Sequence, residues 1–383
     1  MSLPVPSSDA LAASHALQNL IAAEIASNAG AISFAHYMEL ALYAPGLGYY
    51  SGGSAKLGKD GDFTTAPELS PLFGAALAQV AAAIIAQSAP QILEFGAGTG
   101  KLAFDILTEL AAAGVQVERY YIVELSGELR GRQQERLRDF PQVVWLDALP
   151  DSFDGVVFGN EVLDAMPVHL VIKHPDGWQE LQVTVADGRF QYLEVPASDD
   201  LLQQVARQIP EHAQLPVGYV TELHGIACSF MATLSRMLMQ GRANAAFLFD
   251  YGFPAHEYYF DQRATGTLMC HYRHHAHPDP FYYPGLQDIT AHVDFTAMAL
   301  AAQEAGAEVL GYLNQSGFLI GAGIGELLLR TDPADAAAYL PQARAMQKLV
   351  SPAEMGELFK VLAVGKGVEL PDAIVLQDRT HRL

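Results

Sequence analysis

The sequence is poor in cysteine and in basic residues. It has two cysteines in 383 residues, Cys228 and Cys270, which excludes a disulfide scaffold and any centre built from several thiolates. Lysine plus arginine number 22 against 43 acidic residues, for a net charge of −21. A surface this acidic repels a phosphate backbone, so a broad nucleic-acid-binding face is not expected. The first twenty-three residues contain no Lys or Arg, which fits neither a signal peptide nor a basic transit sequence. No uncharged apolar run has membrane-spanning character, since the stretch from Phe73 to Ile92 is broken by Gln79, Gln87 and Pro90. These absences are those expected of a cytoplasmic, bacterial protein that does not enter the membrane, and a processed mature organellar protein would look similar.

Hydrophobic residues make up 50% of the chain and charged residues 17%, enough for a substantial core. At roughly 150 residues per domain, the length suits two units or one enlarged domain. Residues 10–42 carry apolar residues at helical spacing with a break at Asn28-Ala-Gly30, and Pro71 opens an Ala-rich helix. From Gln91 onward, short apolar runs alternate with helical stretches. Strands are expected at Gln91–Phe95, Arg119–Val123, Gln142–Leu146, Phe153–Phe158 and Ala245–Phe249, with helices between them. That alternation indicates an α/β fold with a mostly parallel, doubly wound sheet. Pro175-Asp-Gly177 between two strand-like runs marks a hairpin. A helix is expected from Leu223 to Met239, with Glu222 just before it. Residues 253–294 are a long excursion dense in Tyr, His, Pro and Phe, and the terminal runs at 359–362 and 369–374 read as a closing antiparallel pair. The expected division is an N-terminal helical and loop extension over 1–75, a core over 76–164 and 221–325, and an antiparallel substrate-side insertion over 165–220. The aromatic excursion lies within that core, and a C-terminal helical extension covers 326–383.

Gly96-Ala-Gly98-Thr-Gly100 follows the Gln91 strand and opens a helix, so backbone and helix N-terminus can approach a ligand closely. A dinucleotide fingerprint wants a sixth-position glycine where Lys101 stands. Glu94 precedes the loop, Glu124 ends the second strand and suits two ribose hydroxyls, and Asp147 ends the third near an adenine edge. Carboxylates at successive strand ends match an adenosine without phosphates better than one with a pyrophosphate.

Glu94-Phe-Gly-Ala-Gly-Thr-Gly100 resembles the first motif of class I S-adenosylmethionine-dependent methyltransferases. A further motif precedes it at Gly61–Gly74, and others follow at Gly159–Val168, Asp250–Gly252, Gly266–Tyr272 and Asp288–Phe295. With them the chain resembles the MidA-like family, which includes a mitochondrial complex I assembly factor that methylates protein arginine. The resemblance implies a Rossmann-like methyltransferase fold, S-adenosyl-L-methionine as cofactor, and a protein substrate such as a complex I 49 kDa-type subunit.

Methyl transfer to a guanidinium calls for carboxylates that orient its planar donor fork. Glu161 and Asp164 lie three residues apart after a strand end, and Asn160 offers a carbonyl oxygen to an amine of substrate or cofactor. Glu222 and Asp250 are further candidates, with helix capping and loop bracing as their structural alternatives. Asp62, Thr64, Thr65 and Glu68 match the family's opening motif and are expected to close over cofactor or substrate, although Thr65-x-x-Glu68 also has capping-box spacing. His271, His274, His275 and His277 fit no standard zinc spacing, so no metal is expected. His292 could relay the proton released after transfer. An NAD-type oxidoreductase and a noncatalytic assembly scaffold are the alternative functions. The apolar helices at 72–86 and 223–239 are either core or a homodimer surface.

Overall fold

The computed structural model describes residues 3–52 and 65–383; Asp62 and Thr64 lie outside the described residues. The chain divides into two units. One is Met1–Phe63, Leu163–Ser229 and Phe253–Ala297, and the other is Thr64–Val162, Phe230–Gly252 and Met298–Leu383. Segment 165–220, expected as an insertion, and segment 253–294, expected as an excursion within the core, fall with the N-terminal helices in the first unit.

The second unit holds a sheet in the order Glu308–Asn314, Phe359–Lys366, Asn244–Phe253, Gly155–Asn160, Gln91–Phe95, Arg119–Val123, Val143–Leu146. Strands from Asn244–Phe253 to Val143–Leu146 run parallel, and Phe359–Lys366 runs antiparallel to both its neighbours. The central strands Gly155–Asn160 and Asn244–Phe253 are buried almost without interruption, as parallel strands covered on both faces must be. Helices Pro71–Ile85, Lys101–Ala112 and Gln315–Gly321 bury their apolar faces in one cluster with Ile92, Phe158, Phe247 and Val361. Each such Leu, Ile or Phe contributes about 1.5–3 kcal/mol.

The terminal runs differ from expectation. Phe359–Lys366 is buried at all but its last position, so it needs neighbours on both edges and sits inside the sheet. Residues Asp372–Val375 form a short helix, not its hairpin partner.

The first unit contains helices Ser8–Ser27 and Phe34–Tyr43, each capped by a serine side chain, Ser7 and Ser33. The break expected at 28–30 is present, with left-handed Ala29 and Gly30. Its main sheet is antiparallel. The ten-residue strand Gly177–Ala186 pairs with Arg189–Pro196 on one edge and with His169–His174 and Ala31–Ser33 on the other, and His169–His174 pairs with Val220–Leu223. The Pro175-Asp176 hairpin is as expected. Glu222 therefore lies within a strand, and the following helix begins only at Gly225. The cause is its pairing with Leu170 of the neighbouring strand.

Residues 253–294, expected as an aromatic loop, include a three-stranded antiparallel sheet of Met269–Tyr272 between His275–His277 and Asp288–Thr290. Its tight turn is made by Arg273 and His274, both left-handed at φ +46° and +64°. Among the described residues, no helix is long and apolar enough to cross a membrane.

Candidate active site

Strand register sets the ends of the parallel strands level. Phe95 pairs with Val123 and Gly159, Val123 with Leu146, and Asn160 with Phe249. The residues that follow, Gly96, Glu124, Asp147, Glu161 and Asp250, therefore share the carboxyl edge of the sheet, where open parallel sheets bind ligands.

Gly96, Gly98 and Gly100 all have positive φ, at +62°, +53° and +78°. Gly100 is also the N-cap of helix Lys101–Ala112, and a Cβ there would lie 3.3 Å from the Gln133 Cα. Glycine thus permits both the turn and the close approach, and the helix N-terminus is left open to a ligand. The loop is clamped at Thr99, whose hydroxyl donates to Glu68 Oε1 at 2.5 Å and accepts from Arg136 Nη1 at 2.8 Å. Thr65 is the N-cap of helix Ala66–Leu69 but makes no side-chain cap bond. The capping-box reading therefore fails, because Glu68 reaches the glycine loop instead.

Glu124 is half-buried, its Oε1 accepting the Ser126 N–H at 2.8 Å and its Oε2 accepting Gln133 Nε2 at 2.9 Å. Burial raises its pKa, and the Ser126, Gln133 and Leu125 donors oppose that rise. Gln133 is fully buried; it also donates to the Gly98 carbonyl at 3.0 Å and accepts the Trp145 indole N–H at 2.9 Å. Glu94 is buried and accepts the Tyr120 hydroxyl at 2.6 Å. Burial lifts its carboxyl to about 8; the Tyr120 bond opposes this and the Glu124 charge adds to it. Asp147 points outward and pairs with Arg130 at 2.6 Å, with 86% of its side chain exposed.

Asn160 ends the Gly155 strand, and its Nδ2 donates to Glu161 Oε1 at 3.0 Å. The carboxylate fixes the amide orientation, because only the NH2 side can face it favourably. The Asn160 Oδ1 is then a buried acceptor without a hydrogen-bond partner among the described residues. Glu161 has φ +54°, a left-handed conformation in a non-glycine residue. Its N–H donates to the Phe249 carbonyl at 2.8 Å. Buried Asp250 holds the next residue, accepting the Val162 N–H at 3.2 Å and the Tyr251 N–H at 3.0 Å.

The remaining candidates, Asp164, Glu222 and His292, belong to the first unit. Buried Glu222 accepts four donors: the N–H groups of Thr267 and Leu268 at 2.7 and 2.9 Å, the Tyr258 hydroxyl at 2.7 Å and the Thr267 hydroxyl at 3.2 Å. Gly266, at φ +74°, turns the chain beside it, and a Cβ there would meet Glu222 Oε1 at 2.4 Å. The Tyr258 hydroxyl also contacts His224 Nε2 at 3.1 Å. Burial and nearby His292 push His224 down to about 3, so it is neutral. The His292 N–H donates to Thr267 Oγ1 at 3.0 Å, and its ring stacks on Phe253 with centroids 5.4 Å apart. Asp164 is buried, and its carbonyl accepts the Ala291 N–H at 3.0 Å.

Gln133, Trp145, Tyr120 and Arg136 escaped the sequence reading. For Gln133 the signal is a helix, Gly127–Arg136, whose one buried residue is a glutamine, the reverse of the usual apolar inner face.

A parallel sheet with one reversed strand beside its edge, a glycine turn and an acid at the second strand end define a Rossmann-like class I methyltransferase fold. Residues 72–313 match the family model described as "Putative S-adenosyl-L-methionine-dependent methyltransferase". A Burkholderia thailandensis protein, with a crystal structure bound to S-adenosyl-homocysteine, is 54% identical; both chains are covered over 100%, with a TM-score of 0.94. A native crystal structure from the same organism is 53% identical over 100% of both chains, with a TM-score of 0.91. Protein arginine methyltransferase NDUFAF7, mitochondrial, from Rattus norvegicus is 31% identical over 88% of this chain and 81% of its own length. The chain belongs to this family of S-adenosyl-L-methionine-dependent methyltransferases, and S-adenosyl-L-methionine is its cofactor. The site fits that group: a glycine turn and helix N-terminus stand at the same sheet edge as an acid whose four acceptor sites are not all taken.

Proposed function

We propose that the chain methylates an arginine side chain of a protein, with Asn160 and Glu161 holding the guanidinium and Glu124 holding the cofactor ribose. The observation that carries this reading is the Asn160 amide oxygen, buried without a donor beside a carboxylate that already engages the amide nitrogen. An unsatisfied buried acceptor costs about 1–3 kcal/mol. A nitrogen bearing N–H groups supplies what it lacks, and a neighbouring carboxylate suits a nitrogen that is cationic and planar.

S-adenosyl-L-methionine, when bound, supplies a methyl group on a sulfonium. The residues must present one guanidino nitrogen in line with it. In this reading Glu161 accepts N–H groups of the fork and Asn160 Oδ1 accepts another, so the reacting nitrogen is held by its plane. The new C–N bond forms as the C–S bond breaks, and the extra proton leaves the methylated nitrogen. The left-handed backbone at Glu161 costs about 1–3 kcal/mol. The Asp250 bonds hold the turn that aims its carboxylate. Glu222, whose acceptor sites are filled, is read as a brace for the Gly266 turn.

A basic, arginine-bearing client suits a net charge of −21. The relatives described as protein arginine methyltransferases support the same class, and a complex I 49 kDa-type subunit, met in the cytoplasm, is the first client to test. The test is transfer of labelled methyl to that subunit and to a whole-cell protein extract, with the modified residue mapped by mass spectrometry. Dimethylated or monomethylated arginine, lost in Asn160→Ala, is expected. Methyl on another residue type would overturn the arginine assignment, and a stable partner captured without any transfer would favour a scaffold.

A further inference from the structure

We infer that Gln133 is the positioning residue that sets recognition of the cofactor ribose, and that Trp145 reports its state. The inference rests on the reading of Glu124 as the ribose acceptor. A carboxylate has about four acceptor sites; Gln133 Nε2 takes one on Oε2, the Ser126 N–H takes one on Oε1, and the Leu125 N–H is a third donor. Held from both sides, the carboxylate keeps a fixed plane and offers its remaining capacity to a vicinal diol. The same Gln133 nitrogen donates to the Gly98 carbonyl, and the Gln133 oxygen accepts the Trp145 indole N–H. One buried amide therefore links the acid, the glycine turn and the Val143–Leu146 strand. Its amide orientation is set from both ends, by acceptors on the nitrogen side and a donor-only indole on the oxygen side. No other residue type of this length both donates and accepts without carrying charge. A glutamate would face Glu124 with a like charge, and a methionine would leave the Trp145 N–H and the Gly98 carbonyl without this partner.

The test measures affinity for S-adenosyl-homocysteine and for its 2′-deoxyribose analogue, by calorimetry, in the wild type, Gln133→Met, Trp145→Phe and Glu124→Gln. The wild type is expected to prefer the intact diol by about tenfold or more, as for a hydrogen bond to a charged group. In Gln133→Met that preference should fall to within about threefold, with the analogue's own affinity little changed. A merely structural role would weaken both ligands by the same factor and leave the ratio intact, which would overturn the inference. Trp145→Phe, which keeps the ring and removes the donor, should move the ratio in the same direction by less, and carries the test if Gln133→Met does not fold.

The Glu124→Gln arm separates the two levels. A wild-type ratio there overturns Glu124 as the ribose acceptor, whereas loss of the ratio in Glu124→Gln but not in Gln133→Met overturns Gln133 alone. In Trp178→Phe, which leaves Trp145 as the sole indole, S-adenosyl-homocysteine should shift the emission, and adding Gln133→Met should abolish that shift.

Discussion

Two carboxylate sites of this chain, at Glu222 and at Asn160-Glu161, differ in what they leave unfilled. Around Glu222, four protein donors fill the acceptor sites of one carboxylate. At the end of the Gly155 strand, Asn160 Oδ1 is buried without a donor and the adjoining glutamate sits in a left-handed conformation. Both clusters lie at strand ends and both looked catalytic in sequence. The lesson is that acidity and position do not by themselves mark a ligand site; the two carboxylates differ in how far the protein fills their surroundings.

The sharpest way to break this comparison is Glu222→Ala. It strands the Tyr258 hydroxyl and the Thr267 and Leu268 N–H groups, each at about 1–3 kcal/mol. Denaturant unfolding should show a loss of at least about 3 kcal/mol, and the folded fraction should still bind S-adenosyl-homocysteine. Retained stability with lost transfer would make Glu222 a reacting-site residue instead. Gly266→Ala probes the same brace through the left-handed turn and the 2.4 Å approach to Glu222. Its unfolding midpoint should fall by the equivalent of about 1 kcal/mol or more.

Glu94 sharpens the comparison through pH. Its folded pKa, about 8, is raised above the usual carboxylate value of 4.5. The folded chain therefore holds a proton that the unfolded chain has lost, and stability falls as pH rises between those values, by at most about 1.4 kcal/mol per unit. Asp294, raised by burial to about 7, adds a fall of the same sign ending there, whereas neutral His224 gives a rise confined to the range from about 3 to 6.5. Between pH 7 and 8 the slope from these three groups belongs to Glu94. Thermal unfolding of Glu94→Gln should be flat across that interval where the wild type declines, and an unchanged decline would refute the assignment. The smallest effect is expected from Asp147→Asn, whose exposed pair with Arg130 is worth about 0–1 kcal/mol. A drop in cofactor affinity there, read by calorimetry, would give Asp147 the adenine contact that its outward direction argues against.

The parallel core was legible because its strands are short, mostly apolar runs followed by glycine or an acid, as at Gln91–Phe95 and Gly155–Asn160. The antiparallel unit was less so. The strand Arg189–Pro196 is mostly exposed and carries no inward alternation, although Asp187-Gly188, both left-handed, was a readable hairpin turn. The turn at Arg273-His274 uses no glycine or asparagine, so nothing in its residue types announces the strands around it. Glycine loop, Glu124 and Asn160-Glu161 could be named from order and spacing. Gln133 could not, because its role arises from one helix meeting three other segments, and a glutamine beside Gln134 on a polar helix resembles any solvated residue.

The most direct test of the unfilled-acceptor reading is Asn160→Ala, assayed for S-adenosyl-homocysteine affinity and for single-turnover methyl transfer to an arginine-bearing client. Removing a side chain whose oxygen has no partner should change stability by no more than about 1 kcal/mol and cofactor affinity by less than about threefold. Transfer should fall about a hundredfold or more, as for loss of a donor-acceptor contact to the reacting group. Undiminished transfer with normal cofactor affinity would contradict the account.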